Sequence, residues 1–318
     1  MAGNAFVARI LGRHGLFGTG RVPGRAARRA LEDPKARRAT FFAEAGSLTP
    51  YLAARIGDEL FFVSTSDKGV GRAVFVDGWR NDMKGLERSV QWLAQNGLRP
   101  PSGSIFVDVG ANIGTTTILA LRRHGFASGV ALEPSPENYR ALRLNLVANE
   151  LESRVEALRV AASDEEGDLL LDVSKPNMGG HRIVEAATRP RQTVEVEAVT
   201  LDGLVRNGVI RPERVGLLWV DAPRHEGRVL AGASALIEAS VPLVVAIRQQ
   251  EGDPNRPRPW YMPADTRASV IASLTAHYTD VVELRRKPNK DHRQHPIADL
   301  PFVVDSFRRS QDLLLVRR

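Results

Sequence analysis

The chain contains no cysteine. Disulfides, thiolate metal centres and cysteine nucleophiles are therefore excluded. No apolar run approaches the roughly 18 residues of a membrane-spanning helix. No sustained apolar segment of the secretory kind stands near the N-terminus, so a cytoplasmic location is expected. Lysine is scarce, with 6 among the 44 basic residues against 38 arginines, which reads as coding bias. No Gly-x-Gly-x-x-Gly follows a strand, which argues against a nicotinamide-dependent oxidoreductase. No Asn/Asp-Pro-Pro-Tyr segment is present to hold a base amine, which argues against a nucleic-acid methylating enzyme.

The charge is unevenly spread. The net charge is +7, and residues 1–40 carry nine basic residues and two acids, which accounts for the whole excess. The remaining body is balanced, unlike the basic face that a nucleic-acid partner requires. Residues 1–40 are thus expected to be a solvated basic tail, with no nucleic-acid partner. The 318 residues, 43% of them hydrophobic, suffice for one large α/β domain with additions.

The most informative stretch is IFVDVGANIG, residues 105–114. Ile105, Phe106 and Val107 read as a buried parallel strand. Asp108 ends it, Gly110 and Gly114 follow with Asn112 between them, and a helix starts after the turn. Glycines there let the backbone approach a ligand, and a helix N-terminus offers N–H groups. Asp108 would repel a pyrophosphate. It suits a ligand with a cationic group, such as the amino-acid end of S-adenosylmethionine (SAM). A second short strand, GVALE, ends in Glu133 about twenty residues later, where an acid can hold two ribose hydroxyls. Capping of the next helix is the competing reading, and it suits Glu137 better than Glu133.

The alternation that follows predicts a doubly wound, mostly parallel sheet. Strands are expected at 105–110, 129–133, 155–162, 215–221 and 242–248, closed by a pair at 279–285 and 311–317. That makes seven strands in a Rossmann-like α/β domain over 103–318. A hairpin-like excursion at 168–174 and 193–198 encloses the loop 174–183. Residues 60–64 and 72–78 read as a β-hairpin, and 82–97 as an amphipathic helix, together a cap over 41–102. The loop 286–310 is long, and loops of that length are usually functional or mobile; Asp291, His292 and His295 in it read as solvated and not metal-binding. Trp260 and Tyr261 are either an acceptor platform or anchors of a Pro-rich loop. Asp202 reads as a helix cap.

The segments VDVGANIG (107–114), LEPSPENYRALRLNLVANEL (132–151), AASDEEG (161–167), NMGGHRI (177–183), VTLDGLV (199–205), WVD (219–221) and HEGRVLAGAS (225–234) resemble, in order and spacing, the FkbM-type SAM-dependent methyltransferases. The resemblance implies a class I methyltransferase fold and methyl transfer to a hydroxyl of a sugar or natural product. It implies that Asp108, Gly110, Asn112 and Gly114 surround the methionine part of SAM, that Glu133 holds the ribose, and that Ser163 and Asp164 meet the adenine. Asp221 would point at the departing methyl group. The candidates for a base are His225, His181, Asp221 and Glu226.

Two places depart from the family pattern. Ala222-Pro223-Arg224 stands where Val-Gln-Gly or Val-Glu-Gly is usual, so Arg224 replaces a glycine that has φ > 0 or leaves room for the acceptor. Ala246 stands where strand 5 usually ends in glutamate. Arg224 and Arg248 would suit an anionic small-molecule or saccharide acceptor. The alternative is a SAM-binding protein whose acceptor site has decayed.

Overall fold

The computed structural model describes residues 32–78, 81–98, 100, 102–173, 177–184, 192–247, 264–284, 292–306 and 311–318. The chain opens with α1 (Pro34–Ala45), started by Pro34 and by Asp33, whose side chain accepts from Lys35 N at 2.9 Å. The tail boundary expected at residue 40 falls inside this helix. Next come β1 (Tyr51–Ile56) and β2 (Glu59–Ser64), which pair antiparallel.

The hairpin expected between 60–64 and 72–78 is therefore corrected. Residues Val70–Arg72 are helical and continue as a π-helical turn, Ala73–Asp77. The reason is local. The Asp67 carboxylate accepts from the N–H groups of Gly69, Val70 and Gly71, which starts a helix despite the valine-rich sequence. Val70, Val74 and Val76 are buried all the same. Helix α2 (Asn81–Gln95) buries Leu86, Val90 and Leu93, as the spacing predicted.

The main domain follows with β3 (Ile105–Val109), α3 (Thr115–Arg123), β4 (Ser128–Leu132), α4 (Pro136–Ala148), β5 (Val155–Leu158), β6 (Ala161–Ala162), β7 (Gly167–Asp172), β8 (Arg182–Val184), β9 (Thr193–Val199) and α5 (Leu201–Arg206). It closes with β10 (Val215–Val220), α6 (Glu226–Ala231), α7 (Ser234–Glu238), β11 (Leu243–Ile247), α8 (Ala264–His277), β12 (Asp280–Leu284), β13 (Arg293–Pro296), α9 (Leu300–Ser306) and β14 (Gln311–Val316).

The large sheet has the order β13-β12-β14-β11-β10-β3-β4-β5. Strands β5, β4, β3, β10 and β11 are parallel; β14 runs antiparallel to β11 and β12. This is the expected doubly wound sheet with one strand more. The eighth, β13, lies in the segment read as a long loop between the last two strands, and it is pinned by His295 Nε2, 2.9 Å from Glu283 Oε1. Successive residues of β3 and β10 enter opposite cores, Phe106 and Trp219 on one face, Val107 and Leu218 on the other. The expected third strand breaks in two. Its second part, β6, joins a separate sheet of order β6-β9-β7-β8, in which β7 and β9 form the expected antiparallel pair.

Strand order reverses between β3 and β10, because the chain builds β4 and β5 on one side and later β10 and β11 on the other. That reversal opens a crevice at the carboxyl ends of the strands, the usual ligand position in such sheets. Among the described residues, no helix is long and apolar enough to cross a membrane.

Candidate functional site

The crevice is built on the turn after β3. Gly110 has φ +83°, and a Cβ there would lie 2.2 Å from the carbonyl oxygen of Asp221. Only glycine lets the ends of β3 and β10 approach so closely. The N–H groups of Gly110 and Ala111 donate to Leu132 O at 2.9 and 3.0 Å. Asn112, at φ +53°, donates its N–H to Glu133 Oε2 at 2.8 Å. These three N–H groups are thus committed to β4 and Glu133. Gly114, at φ +87°, starts α3 against Leu142 and Ile118.

Asp108 does not line the crevice. It is fully buried under α3, where Oδ2 accepts from Thr116 Oγ1 at 2.6 Å and Thr117 Oγ1 at 2.5 Å. Desolvation pushes its carboxyl up to about 7, against the two threonine hydroxyls, and the nearby charges of Asp82 and Asp221 add to the rise.

Glu133 does line it. Oε1 accepts from Ser135 N at 2.9 Å and Asn138 Nδ2 at 3.3 Å. Burial pushes this carboxyl up to about 7 as well. Two other contacts bring the loop after β7 over the crevice. Met178 O accepts from Asn138 Nδ2 at 3.1 Å, and Met178 N donates to Asp67 Oδ1 at 3.1 Å. The short loop is tied at one residue to both the N-terminal region and the main domain. His181 and Arg182 follow it into the wall, Arg182 beside Asp172 at 3.3 Å. Burial lowers the His181 pKa.

On the β10 side stand Trp219, Asp221 and His225. The His225 Nε2 is 3.0 Å from Ser163 Oγ, which donates to Asp164 Oδ1 at 2.9 Å; Asp164 Oδ2 takes a bond from Arg228 at 2.7 Å. Because the serine proton goes to Asp164, His225 must donate from Nε2, which leaves Nδ1 as the basic nitrogen. Desolvation, then Arg228, push its pKa down to about 4, so the ring is neutral at physiological pH. Ser163 and Asp164 do not line the crevice. They stand behind His225, through the bond from Ser163 to its ring. Glu226 is buried in the first turn of α6 and also stands off the crevice wall. Asp202 accepts from Ser234 N and Ala235 N at the start of α7, the helix-capping role read from the sequence.

Both departures at the strand ends have structural counterparts. Arg224 sits at φ +69°, the left-handed region that a glycine occupies freely. Ala246 is fully buried on β11 and pairs in register with the buried Asp312 on β14. Arg248, Trp260, Tyr261 and Asp291 lie outside the described residues.

The crevice encloses about 780 Å³ out to its open mouth. Of the sequence candidates, Gly110, Asn112, Glu133, His181, Asp221 and His225 line it together. Its ionisable lining is Asp82, Glu133 and Asp221 against Arg182 and two histidines, an acidic balance. Sequence reasoning missed Asp82, Thr116, Asn138 and Met178. Asp82 looks like an ordinary acid at a helix start, and nothing in the sequence marks it apart. Among the described residues there is no cluster of three or more metal-ligating side chains.

A family model, described as the methyltransferase FkbM domain, matches residues 108–277. The methyltransferase sdnD of Sordaria araneosa is 32% identical over 159 residues, 42% of this chain and 61% of that protein. The 31-O-demethyl-FK506 methyltransferase FkbM of Streptomyces tacrolimicus is 30% identical over 161 residues, 42% of this chain and 60% of that protein. The chain thus spans about three fifths of the length of these relatives. A solved methyltransferase FkbM from Methylobacillus flagellatus superposes with a TM-score of 0.42 at 12% identity, over 98% of this chain and 70% of that one.

Proposed function

This chain belongs to the FkbM methyltransferase family, and from that membership we propose that it moves the methyl group of SAM onto a hydroxyl oxygen of a sugar or natural-product acceptor. The carrying observation is the acidic crevice at the strand-order reversal, with Glu133 on its β4 side and Asp221 and His225 on its β10 side. Its charge suits a cationic ligand and opposes a pyrophosphate. The Streptomyces tacrolimicus relative is a 31-O-demethyl-FK506 methyltransferase, and its oxygen acceptor supports an oxygen acceptor here.

SAM, when bound, supplies a methyl group already activated by its sulfonium. The chain's part is to bind and orient. Glu133, held by Asn112 and Asn138, accepts the ribose hydroxyls. Val160, Ala161, Leu171 and Met178 offer an apolar wall for the purine. Alignment of acceptor and methyl group is worth up to ~7–11 kcal/mol. A base adds about 10²–10⁴-fold, and we assign it to His225 Nδ1, which takes the hydroxyl proton while Ser163 and Asp164 hold the ring.

The test is calorimetric titration with SAM, S-adenosylhomocysteine and NAD. Micromolar binding of the first two, lost in Glu133→Ala, is expected. Absence of both from well-folded protein would overturn the reading. The φ of Arg224 favours a second reading, a strained acceptor loop with lost transfer. Restoring Val-Glu-Gly at Ala222-Pro223-Arg224 separates the two, because methyl transfer that appears only in the restored chain identifies decay.

A further inference from the structure

We propose that Asp82, contributed by the N-terminal helix α2, holds the cationic ammonium at the amino-acid end of the cofactor, the role that the sequence assigns to Asp108. The inference rests on the SAM reading and adds a residue to it.

Four acids surround the glycine turn, and three of them, Asp82, Glu133 and Asp221, line the crevice. Asp108 is fully buried and outside the crevice wall, with Oδ2 bound to two threonine hydroxyls and Oδ1 without a partner among the described residues. Glu133 directly follows β4, where its neighbours fix it for hydroxyl groups. Asp221 follows β10 and lines the crevice with His225, the base of the proposed transfer. Asp82 is 6% exposed and lines the crevice. Its Oδ2 accepts from Thr115 Oγ1 at 2.9 Å, and Thr115 is the first residue of α3, directly after Gly114. This bond fixes the carboxylate at the glycine turn.

Its side of the turn also matters. A Cβ at Gly85, one helical turn beyond Asp82, would lie 2.9 Å from the Trp219 ring. Helix α2 therefore packs against β10, on the opposite side of β3 from β4 and Glu133. Two acids bracket the turn, one suited to the ribose and one to the far end of the same ligand. The charges of Asp82 and Asp221 both bear on Asp108, so a cation among them relieves a repulsion that the fold otherwise sustains. The N-terminal region then completes the cofactor site as well as covering it.

The experiment uses the full chain and two probes. S-adenosylhomocysteine has the amino-acid end; 5′-methylthioadenosine has the adenine and ribose without it. Asp82→Asn should weaken S-adenosylhomocysteine by about ten- to a hundredfold, the worth of a hydrogen bond to a charged group. It should leave 5′-methylthioadenosine within about twofold, which also reports an intact fold. Glu133→Gln should weaken both probes, and Asp108→Asn should not change their ratio. If Asp82→Asn binds S-adenosylhomocysteine as well as the wild type does, or if Asp108→Asn is the variant that loses it selectively, the assignment is overturned. Equal loss of both probes in Asp82→Asn overturns it too. A wild-type chain that binds neither probe removes the SAM reading itself, and this inference with it.

Discussion

Arg224 occupies a backbone position that costs a non-glycine residue about 1–3 kcal/mol. Glycine relieves that strain and returns up to about 1 kcal/mol of it as unfolded-chain entropy. Arg224→Gly is therefore expected to raise thermal stability by about 0–2 kcal/mol, read as an upward shift of the melting temperature. A clear fall would mean that the contacts of Arg224 outweigh the strain. The next residue carries a second prediction. His225 should be the Nε2–H tautomer, visible in its ring nitrogen chemical shifts, and Ser163→Ala should mix the tautomers without unfolding the chain. A wild-type ring protonated on Nδ1 would refute the assignment of the base. The left-handed position was legible as a glycine replaced by arginine. The two-residue alternation of a strand places Asp108 on the face of Phe106, towards α3. The threonines at 116 and 117 are the signal for a carboxylate turned inward. The link from Ser163 to His225 joins residues 62 positions apart, which no local pattern reveals.

At the scale of elements, the N-terminal hairpin is joined to the main domain by two asparagines one helical turn apart, Asn145 on α4 and Asn149 at its C-terminal cap. Asn145 accepts from Phe62 N at 2.6 Å and donates to Phe62 O at 3.2 Å and Ile113 O at 2.9 Å. Asn149 does the same for Leu60, at 3.0 and 2.7 Å. Each side-chain amide thus stands in for a neighbouring strand and closes the free edge of β2. Asn145 is fully buried, so Asn145→Ala removes the bonds to three backbone groups and should cost about 2–4 kcal/mol. Urea denaturation measures it, and a change below about 0.5 kcal/mol would show that the hairpin is held otherwise. The parallel strands were legible because burial on both faces makes them continuous apolar runs, such as the wholly buried VGLLWV of β10. Residues 72–78 read as a strand for the same reason, valine content, but the capping carboxylate of Asp67 decides the matter. Strand β13 was missed because RQHP has no apolar residue except proline; its place comes from pairing with β12.

For the whole molecule, the sheet order gathers buried acid at one point, and this couples ligand binding to protons. Burial pushes Asp108 and Glu133 each up to about 7, from ordinary values of 3.8 and 4.5. Both folded values lie above the unfolded ones, so the native state keeps protons that the unfolded chain has released. Their favourable contribution is complete below about pH 4 and is lost as the pH rises to about 7. The ligand-free protein should lose stability across that window from these two groups, and Glu133→Gln should flatten the slope. The groups interact, so the observable is the titration of the pair. A cation among these carboxylates favours their ionised forms. Ribose hydroxyls donating to Glu133 act in the same direction. SAM binding near pH 6.5 should therefore release protons, and its affinity should increase with pH until both acids are ionised. His225, pushed down to about 4, is neutral throughout and does not offset the release. Titrations in buffers of different ionisation enthalpy count the protons directly. Release that shrinks in Glu133→Gln fits a ligand placed against that carboxylate; uptake, or no exchange at all, would mean that the cofactor's charge lies elsewhere.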